Sequence, residues 1–333
     1  MRIEEGIKLD FDDVLIRPKR SDAPSRKAVD LTRMFKMPHS GQIFTCLPII
    51  AANLDTVGTF AMTTALAQHQ ACCALHKFYS LDDLEYFYSR YKESIYSFYT
   101  LGIKEEDLVK LTTLTAKVGN IDLICVDVAN GYTKHFVNKV RIIRKLYPNC
   151  VLMAGNVATP EMVQELILEG VDIVKVGIGP GAFCATRLVT GVGYPQLSAI
   201  IESADAAHGL GGFVCADGGC KTSGDIAKAF GAGADFVMLG GMLAGTQECE
   251  GEWTEKGLKV YGMSSQEAQD KYSGGVPKYA TSEGRCSIVP AKGPVSNILS
   301  EITGGLRSAC TYVGARGLKD FSKCCTFIQT RKA

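Results

Sequence analysis

The chain has 333 residues, enough for one large domain or two ordinary ones, with hydrophobic residues at 46% and charged residues at 21%, the balance of a globular protein. A formal net charge of +1 supplies no global field, so composition gives no reason to expect a nucleic-acid partner. No apolar run reaches membrane-spanning length, and the opening MRIEEGIKLDFDDV is charged where a signal peptide is apolar.

Thirteen cysteines without a secretion signal lead us to expect a reducing, cytoplasmic setting and free thiols. There is no CxxC pair, and the five histidines are scattered, which argues against a zinc site. Cys72-Cys73 and Cys324-Cys325 read as packing or surface thiols.

Residues 1–45, charged and holding Pro18, Pro24 and Pro38, read as an irregular N-terminal arm. An alternation of apolar run, break and helix-length segment then begins. Strand candidates are Leu47 to Asn53, Ala71 to His76, and SIYSFYTLG, the last rich in β-favouring Ile95, Tyr96, Phe98 and Tyr99. Leu123 to Val128, Val151 to Val157, Asp172 to Gly177, Gly212 to Gly219 and Asp235 to Gly241 complete the set. Helices are expected from about Val57 to Gln68, from Leu81 with capping by Ser80 and Asp83, and from Thr133 to Leu146. Thr159-Pro160-Glu161 opens another with an N-cap, a proline and an acid.

Eight such units suit a (β/α)8 TIM barrel, with a doubly wound open sheet as the competing architecture. The barrel is favoured because polar and glycine-rich motifs cluster at strand C-terminal ends. Strands seven and eight both end in Gly-Gly, where barrels frequently place a phosphate. From about 244 to 294 the periodicity fails, predicting an irregular lid or flap over the barrel mouth. A helix from about Val295 to Tyr312 returns the chain to the outer ring, and the tail 319–333 is basic and expected to be exposed.

Three loops carry chemistry. The stretch from Val174 to Pro195 holds Gly177, Gly179, Gly181, Gly191 and Gly193 around Cys184, with Thr186 and Arg187 just beyond. Most free cysteines are apolar fillers, but a thiol on a glycine-rich loop beside a hydroxyl and a cation is placed to react. Thr186 could equally cap the following helix. In the loops after strands seven and eight, Asp217-Gly218-Gly219 and Gly240-Gly241 offer backbone N–H groups for an anion and a carboxylate for a ribose diol.

IGPGAFCATR, VCADGGCKTSGDIAKAFGAGADFVMLGGMLAG, YGMSS, TSEG and the early LDFDDVLIRPKRS resemble the IMP dehydrogenase/GMP reductase family along essentially the whole chain. The resemblance implies a (β/α)8 barrel, usually tetrameric, that binds a purine nucleotide by its phosphate. Dehydrogenases of the family usually carry an inserted regulatory domain after strand two. Here His76 runs through Lys77 and Phe78 directly into Ser80-Leu81-Asp82. The excursion also lacks the Arg-Tyr pair with which dehydrogenases activate water, so the chain is most similar to the reductase branch.

That branch implies attack of Cys184 on C2 of GMP, loss of ammonia to leave a covalent thioimidate, and hydride transfer from NADPH to give IMP. It implies a proton relay through Thr186 and Glu283. Phosphate and ribose map onto Asp217, Gly218, Gly219, Gly240, Gly241, Gly262, Met263 and Ser264, and the base edge onto Ser282, Glu283 and Gly284. The cofactor maps onto Ser25, Arg26, Lys77, Asp127, Val128, Ala129, Ile178, Gly179, Met263 and Tyr279. Residues from Ser308 to Thr311 of a neighbouring subunit complete it. A potassium site is implied at Gly179, Gly181 and Cys184, closed by Arg187. Relatives usually read YRASEG where this chain has Tyr279-Ala280-Thr281, so a guanidinium contact is absent or supplied by Lys278 or Arg285. The alternatives are an IMP dehydrogenase using NAD+ and a catalytically silent nucleotide-binding protein on the same barrel.

Overall fold

The computed structural model describes residues 3–22 and 25–330; Pro24 of the arm and the last three residues of the tail lie outside them. Eight parallel strands close into a barrel: Ile49–Ala51, Cys72–Ala74, Ser97–Leu101, Leu123–Asp127, Val151–Val157, Ile173–Val176, Phe213–Asp217 and Phe236–Leu239. Closure is made by the eighth strand on the first, with Val237, Met238 and Leu239 paired to Ile49, Ile50 and Ala51. The helices of the outer ring are Phe60–Ala67, Leu81–Arg90, Glu105–Val118, Lys134–Leu146, Pro160–Leu168, Gln196–Gly209, Ser223–Gly231 and Val295–Val313.

The strands are short, apolar and almost wholly buried, because helices cover their outer face while side chains fill the inside. The interior packs Ile50, Cys72, Phe98, Cys125, Cys215 and Phe236 among others. Three of these are cysteines acting as small apolar fillers, and burial raises the Cys125 thiol to about 12. Ser80 caps its helix as expected, accepting from the Asp83 N–H. Thr159 makes no side-chain cap bond, and its hydroxyl instead accepts from Tyr132. Ile95 and Tyr96, expected in the third strand, lie in a 3-10 turn that precedes it.

Three segments are more ordered than their sequence suggests. The arm forms an antiparallel hairpin, Arg33–Lys36 with Ile43–Cys46, that drives Phe35 and Met37 into the base of the barrel. Phe35 stacks on Phe236 at 4.4 Å and meets Phe213 edge-on at 5.2 Å. The excursion carries its own three-stranded antiparallel sheet, Trp253–Thr254, Gly257–Tyr261 and Cys286–Val289, and a helix, Gln266–Ser273. The tail, expected to be exposed, is docked: the helix Leu318–Cys324 buries Phe321, and Phe327–Gln329 pairs antiparallel with Val14–Ile16. Each is tied by contacts remote in sequence, so local pattern could not reveal them.

Phe35 closes the barrel floor, fully buried where its hairpin neighbour Phe44 is only half-buried. Phe35→Ala is expected to cost about 3–5 kcal/mol and to lower the thermal midpoint by about 4–7 °C. Differential scanning calorimetry checks this.

Candidate active site

A cavity of about 670 Å³ opens at the C-terminal ends of the strands, where barrels place their chemistry. Its wall includes the glycine-rich loop with Cys184 and Thr186, the Asp217-Gly218-Gly219 and Gly240-Gly241 turns, and Gly262, Met263, Ser264, Glu283 and Gly284 of the flap. Lys77, Asp127, Val128, Ala129, Ile178, Gly179 and Gly181 line the same space. The two Gly-Gly turns are neighbours because the seventh and eighth strands pair. Gly218 has φ +89°, and a Cβ there would meet the Gly181 N at 3.0 Å, so the two glycine loops approach closely only without side chains. The turn after Gly240 makes one helical turn and no helix, so loop backbone walls the cavity on that side.

Cys184, Thr186 and Glu283 are in line. The Cys184 thiol donates to Thr186 Oγ1 at 3.2 Å, and the Thr186 hydroxyl donates to Glu283 Oε2 at 2.7 Å. Thr186 opens the short helix Thr186–Thr190 but makes no capping bond, so its hydroxyl serves this line. Backbone pairing holds the line together. Ala185 N–H donates to the Glu283 carbonyl at 2.6 Å and Arg285 N–H to the Phe183 carbonyl at 2.8 Å, a bridge of Cys184 to Gly284. Gly262 and Gly284 permit it: a Cβ on either would lie 2.5 Å from the Phe183 carbonyl or the Ser265 nitrogen. Ser282 sits behind this bridge, its hydroxyl 3.4 and 3.3 Å from the Ser264 and Gly284 carbonyls.

Across the mouth, consecutive strand ends contribute Asp127, Asn156, Lys175 and Asp217. Lys175 is 1% exposed, and its ammonium bonds Asp127 and lies 3.3 Å from Asp217 Oδ2. Burial alone would lower its pKa, but Asp127 and Asp217 outweigh burial and hold the ammonium well above its ordinary value. Asn156 donates to Asp217 Oδ2 at 2.8 Å and to the Gly177 carbonyl at 2.9 Å.

The flap helix is latched from below by Asp55 of the loop after the first strand. Its Oδ2 accepts from Tyr261 and Tyr272, each at 2.7 Å, and from Lys271 at 3.0 Å. The Asp55 N–H approaches the sulfur of Met263, a cavity residue, at 3.4 Å. Phe78 stacks on Tyr272 at 3.5 Å, tying the second strand's loop to the same helix. His76 beneath them is buried, its Nδ1 accepting from the Phe78 N–H at 3.2 Å. Desolvation drives its pKa down to about 4, against the opposing field of Asp55.

Several expected residues are not brought to this cavity. Tyr279 is 93% exposed on the flap, Lys278 and Arg285 are exposed with it, and none of the three lines the chain's own cavity. Ser25 and Arg26 lie in a 3-10 turn packed on the helix Val295–Val313 that carries Ser308 and Thr311, and none of the four lines the chain's own cavity. The Arg187 side chain is committed within the chain. Its guanidinium bonds Asp10 Oδ2 at 3.0 Å and the Tyr194 carbonyl, and its stem fills the space left by Gly179 and Gly193. Asp10 also accepts from the Gln196 N–H at 2.5 Å, which gives the early LDFDD motif its use: it braces the cysteine loop.

Sequence reading missed Lys175, Asn156, Asp55 and Asp10. Lys175 had a signal, a lone charge within the otherwise apolar VKV of a strand buried on both faces.

Fold and cavity together define a (β/α)8 barrel enzyme whose thiol, hydroxyl and carboxylate converge on a nucleotide-sized space. The profile of the IMP dehydrogenase / GMP reductase domain matches residues 8–333. A GMP reductase of Shewanella pealeana is 54% identical over 100% of this chain and 97% of that protein. GMP reductase 1 of Homo sapiens is 54% identical over 98% of this chain and 96% of the human protein. The chain therefore belongs to the IMP dehydrogenase / GMP reductase family. No helix among the described residues is long and apolar enough to cross a membrane.

The latch and the buried imidazole each have a measurable consequence. Asp55→Ala leaves Lys271, Tyr261 and Tyr272 without their common acceptor, so limited proteolysis at the exposed 274–281 segment is expected to quicken about tenfold, the equivalent of ~1.4 kcal/mol. His76, with its folded pKa depressed from 6.5 to about 4, stays neutral as pH falls while the unfolded chain takes up the proton. It therefore costs stability progressively below about pH 6.5, at most ~2 kcal/mol by pH 5. His76→Gln is expected to lose less stability than the wild type between pH 7.5 and 5 in thermal melts.

Proposed function

We propose that this protein is a GMP reductase, an oxidoreductase that converts GMP to IMP and ammonia at the expense of NADPH, in purine salvage. The observation that carries the reading is the line from Cys184 through Thr186 to Glu283, at 3.2 and 2.7 Å, facing the cavity. The names of the full-length relatives support the same substrate.

The hydrogen-bond line runs from thiol to hydroxyl to carboxylate, so the thiol proton passes through Thr186 to Glu283 as the sulfur attacks C2 of GMP. The S–C2 bond forms and an adduct carries the 2-amino group. The same route returns the proton from Glu283 to that nitrogen, ammonia leaves, and a thioimidate on Cys184 remains. The bound nicotinamide cofactor supplies the hydride that C2 takes as the S–C2 bond breaks. Gly218, Gly219, Gly240 and Gly241 hold the phosphate, Asp217 the ribose, and Met263, Ser264, Ser282 and Gly284 the base side of the nucleotide.

The residues present suit NADPH. Asp127 offers a carboxylate to a ribose, and Lys77 at the rim offers a cation to a phosphate. Val128, Ala129, Ile178 and Gly179 give the flat backbone wall a nicotinamide needs. Ser25, Arg26, Ser308 and Thr311 face away from their own cavity, which suits a tetramer in which they serve a neighbour's cofactor. Potassium would fit the hard carbonyl oxygens of Gly179, Gly181 and Cys184. Arg187 would close that site while its guanidinium braces the loop.

The test follows NADPH absorbance with GMP. Wild type is expected to consume NADPH and release IMP and ammonia in equal amounts. Cys184→Ala should lose at least ~10⁴-fold in kcat, and Glu283→Gln or Thr186→Ala about 10²–10⁴-fold. NADH formation from NAD+ and IMP, with no GMP-dependent NADPH loss, would move the assignment to a dehydrogenase.

A further inference from the structure

Lys175 is the least expected group in the molecule. It sits on the inner face of the sixth strand, 1% exposed, in a barrel filled mainly by apolar side chains. Room is made for it. Gly155 of the neighbouring strand has no side chain, and a Cβ there would lie 2.6 Å from the Lys175 Cβ and 2.5 Å from its carbonyl.

Its ammonium bonds Asp127 Oδ1 at the end of the fourth strand and lies 3.3 Å from Asp217 Oδ2 at the end of the seventh. The other oxygen of each carboxylate has no hydrogen-bond partner among the described residues, and the two side chains keep 31% and 21% exposure toward the cavity. Each carboxylate is therefore half anchored and half free. The other groups that face Lys175 are the Cys125 and Cys215 thiols, on those same two strands, and the neutral Asn156 amide. Burial holds both thiols neutral, so the ammonium is the sole positive charge between the two acids.

We propose that Lys175 is a positioning residue that holds Asp127 and Asp217 as a matched pair of ionised sugar acceptors, one for the substrate nucleotide and one for the nicotinamide nucleotide. This rests on the GMP reductase reading. The physics is that of two like charges in a poorly solvated space: without a shared counter-charge they repel, and one takes up a proton. With the ammonium between them, both stay ionised and aimed, and each turns its free oxygen to a ribose. The two nucleotide sites thereby share one anchor, so disturbing it weakens both.

The test measures GMP and NADPH binding by calorimetry between pH 5.5 and 8.5 for the wild type, Lys175→Met and the double variant Lys175→Met/Asp127→Asn. Each constant is read as a ratio to the wild type at the same pH, so the titration of the phosphates cancels. Lys175→Met is expected to weaken GMP binding about 10- to 100-fold at pH 8, with the ratio recovering toward pH 5.5 as a shared proton replaces the ammonium. The double variant has one carboxylate and no repulsion. It should bind GMP within about fivefold of wild type at every pH while NADPH binding stays weak. This variant also decides the matter if Lys175→Met alone does not fold. A pH-independent ratio in Lys175→Met, or GMP binding lost equally in the folded double variant, overturns the proposal and leaves Lys175 a structural filler. Wild-type protein that binds no GMP at all overturns the functional reading instead, before any variant is made.

Discussion

The eighth strand hydrogen-bonds to the first, and this closure dictates the layout of the rest of the molecule. A closed parallel barrel has no free edge, buries its strands on both faces, and collects eight strand ends at one mouth. Side chains that end strands four, five, six and seven then meet although they are far apart in the chain. Asp127, Asn156, Lys175 and Asp217 form a polar belt for that reason alone. The hairpin of the arm completes the constraint from below, where Phe35 fills the floor. One end is thus sealed by apolar packing and the other is left open for chemistry.

The mouth also illustrates how little polar material a barrel interior tolerates. Lys175 is buried with two acids on it, and the Cys125 and Cys215 thiols near it are kept neutral by the same low polarity. Backbone supplies most of the remaining polarity. Gly218, Gly219, Gly240 and Gly241 present peptide groups with no side chains in the way. Peptide dipoles fixed by the fold need little reorganisation when an anion arrives, which is why phosphate sites favour them over flexible lysines.

The barrel, its eight strands and their ring of helices were legible in the sequence, because apolar runs buried on both faces and glycine-marked strand ends leave a strong local signal. Cys184, Thr186, Glu283 and the two Gly-Gly turns were legible as well, through motifs long enough to mark a family, and the cavity gathers them. What stayed hidden has a common character. The docked tail, the hairpin plug and the flap's sheet are held by partners remote in sequence, such as Phe327–Gln329 on Val14–Ile16. Asp10 and Asp55 read as ordinary loop acids, and only tertiary structure gives them Arg187 and Tyr261 as partners. Tyr279, Ser25, Arg26, Ser308 and Thr311 fit the family pattern but lie off their own cavity, so a single chain cannot explain them by its own contacts.

The flap brings these threads together. Glu283 reaches Thr186 only because the segment around Gly284 is stitched to the cysteine loop by two backbone hydrogen bonds, each worth about 1 kcal/mol net. The helix that precedes that segment is held in turn by Asp55, whose single oxygen takes Tyr261, Lys271 and Tyr272. The Glu283 carboxylate and the flap that walls the cavity are therefore one piece of chain. The seated flap gives the cavity both its Met263 wall and its Glu283 carboxylate. Cavity wall and carboxylate therefore share one set of anchors, the Asp55 latch and the backbone stitch, while the barrel beneath is held by its own closure.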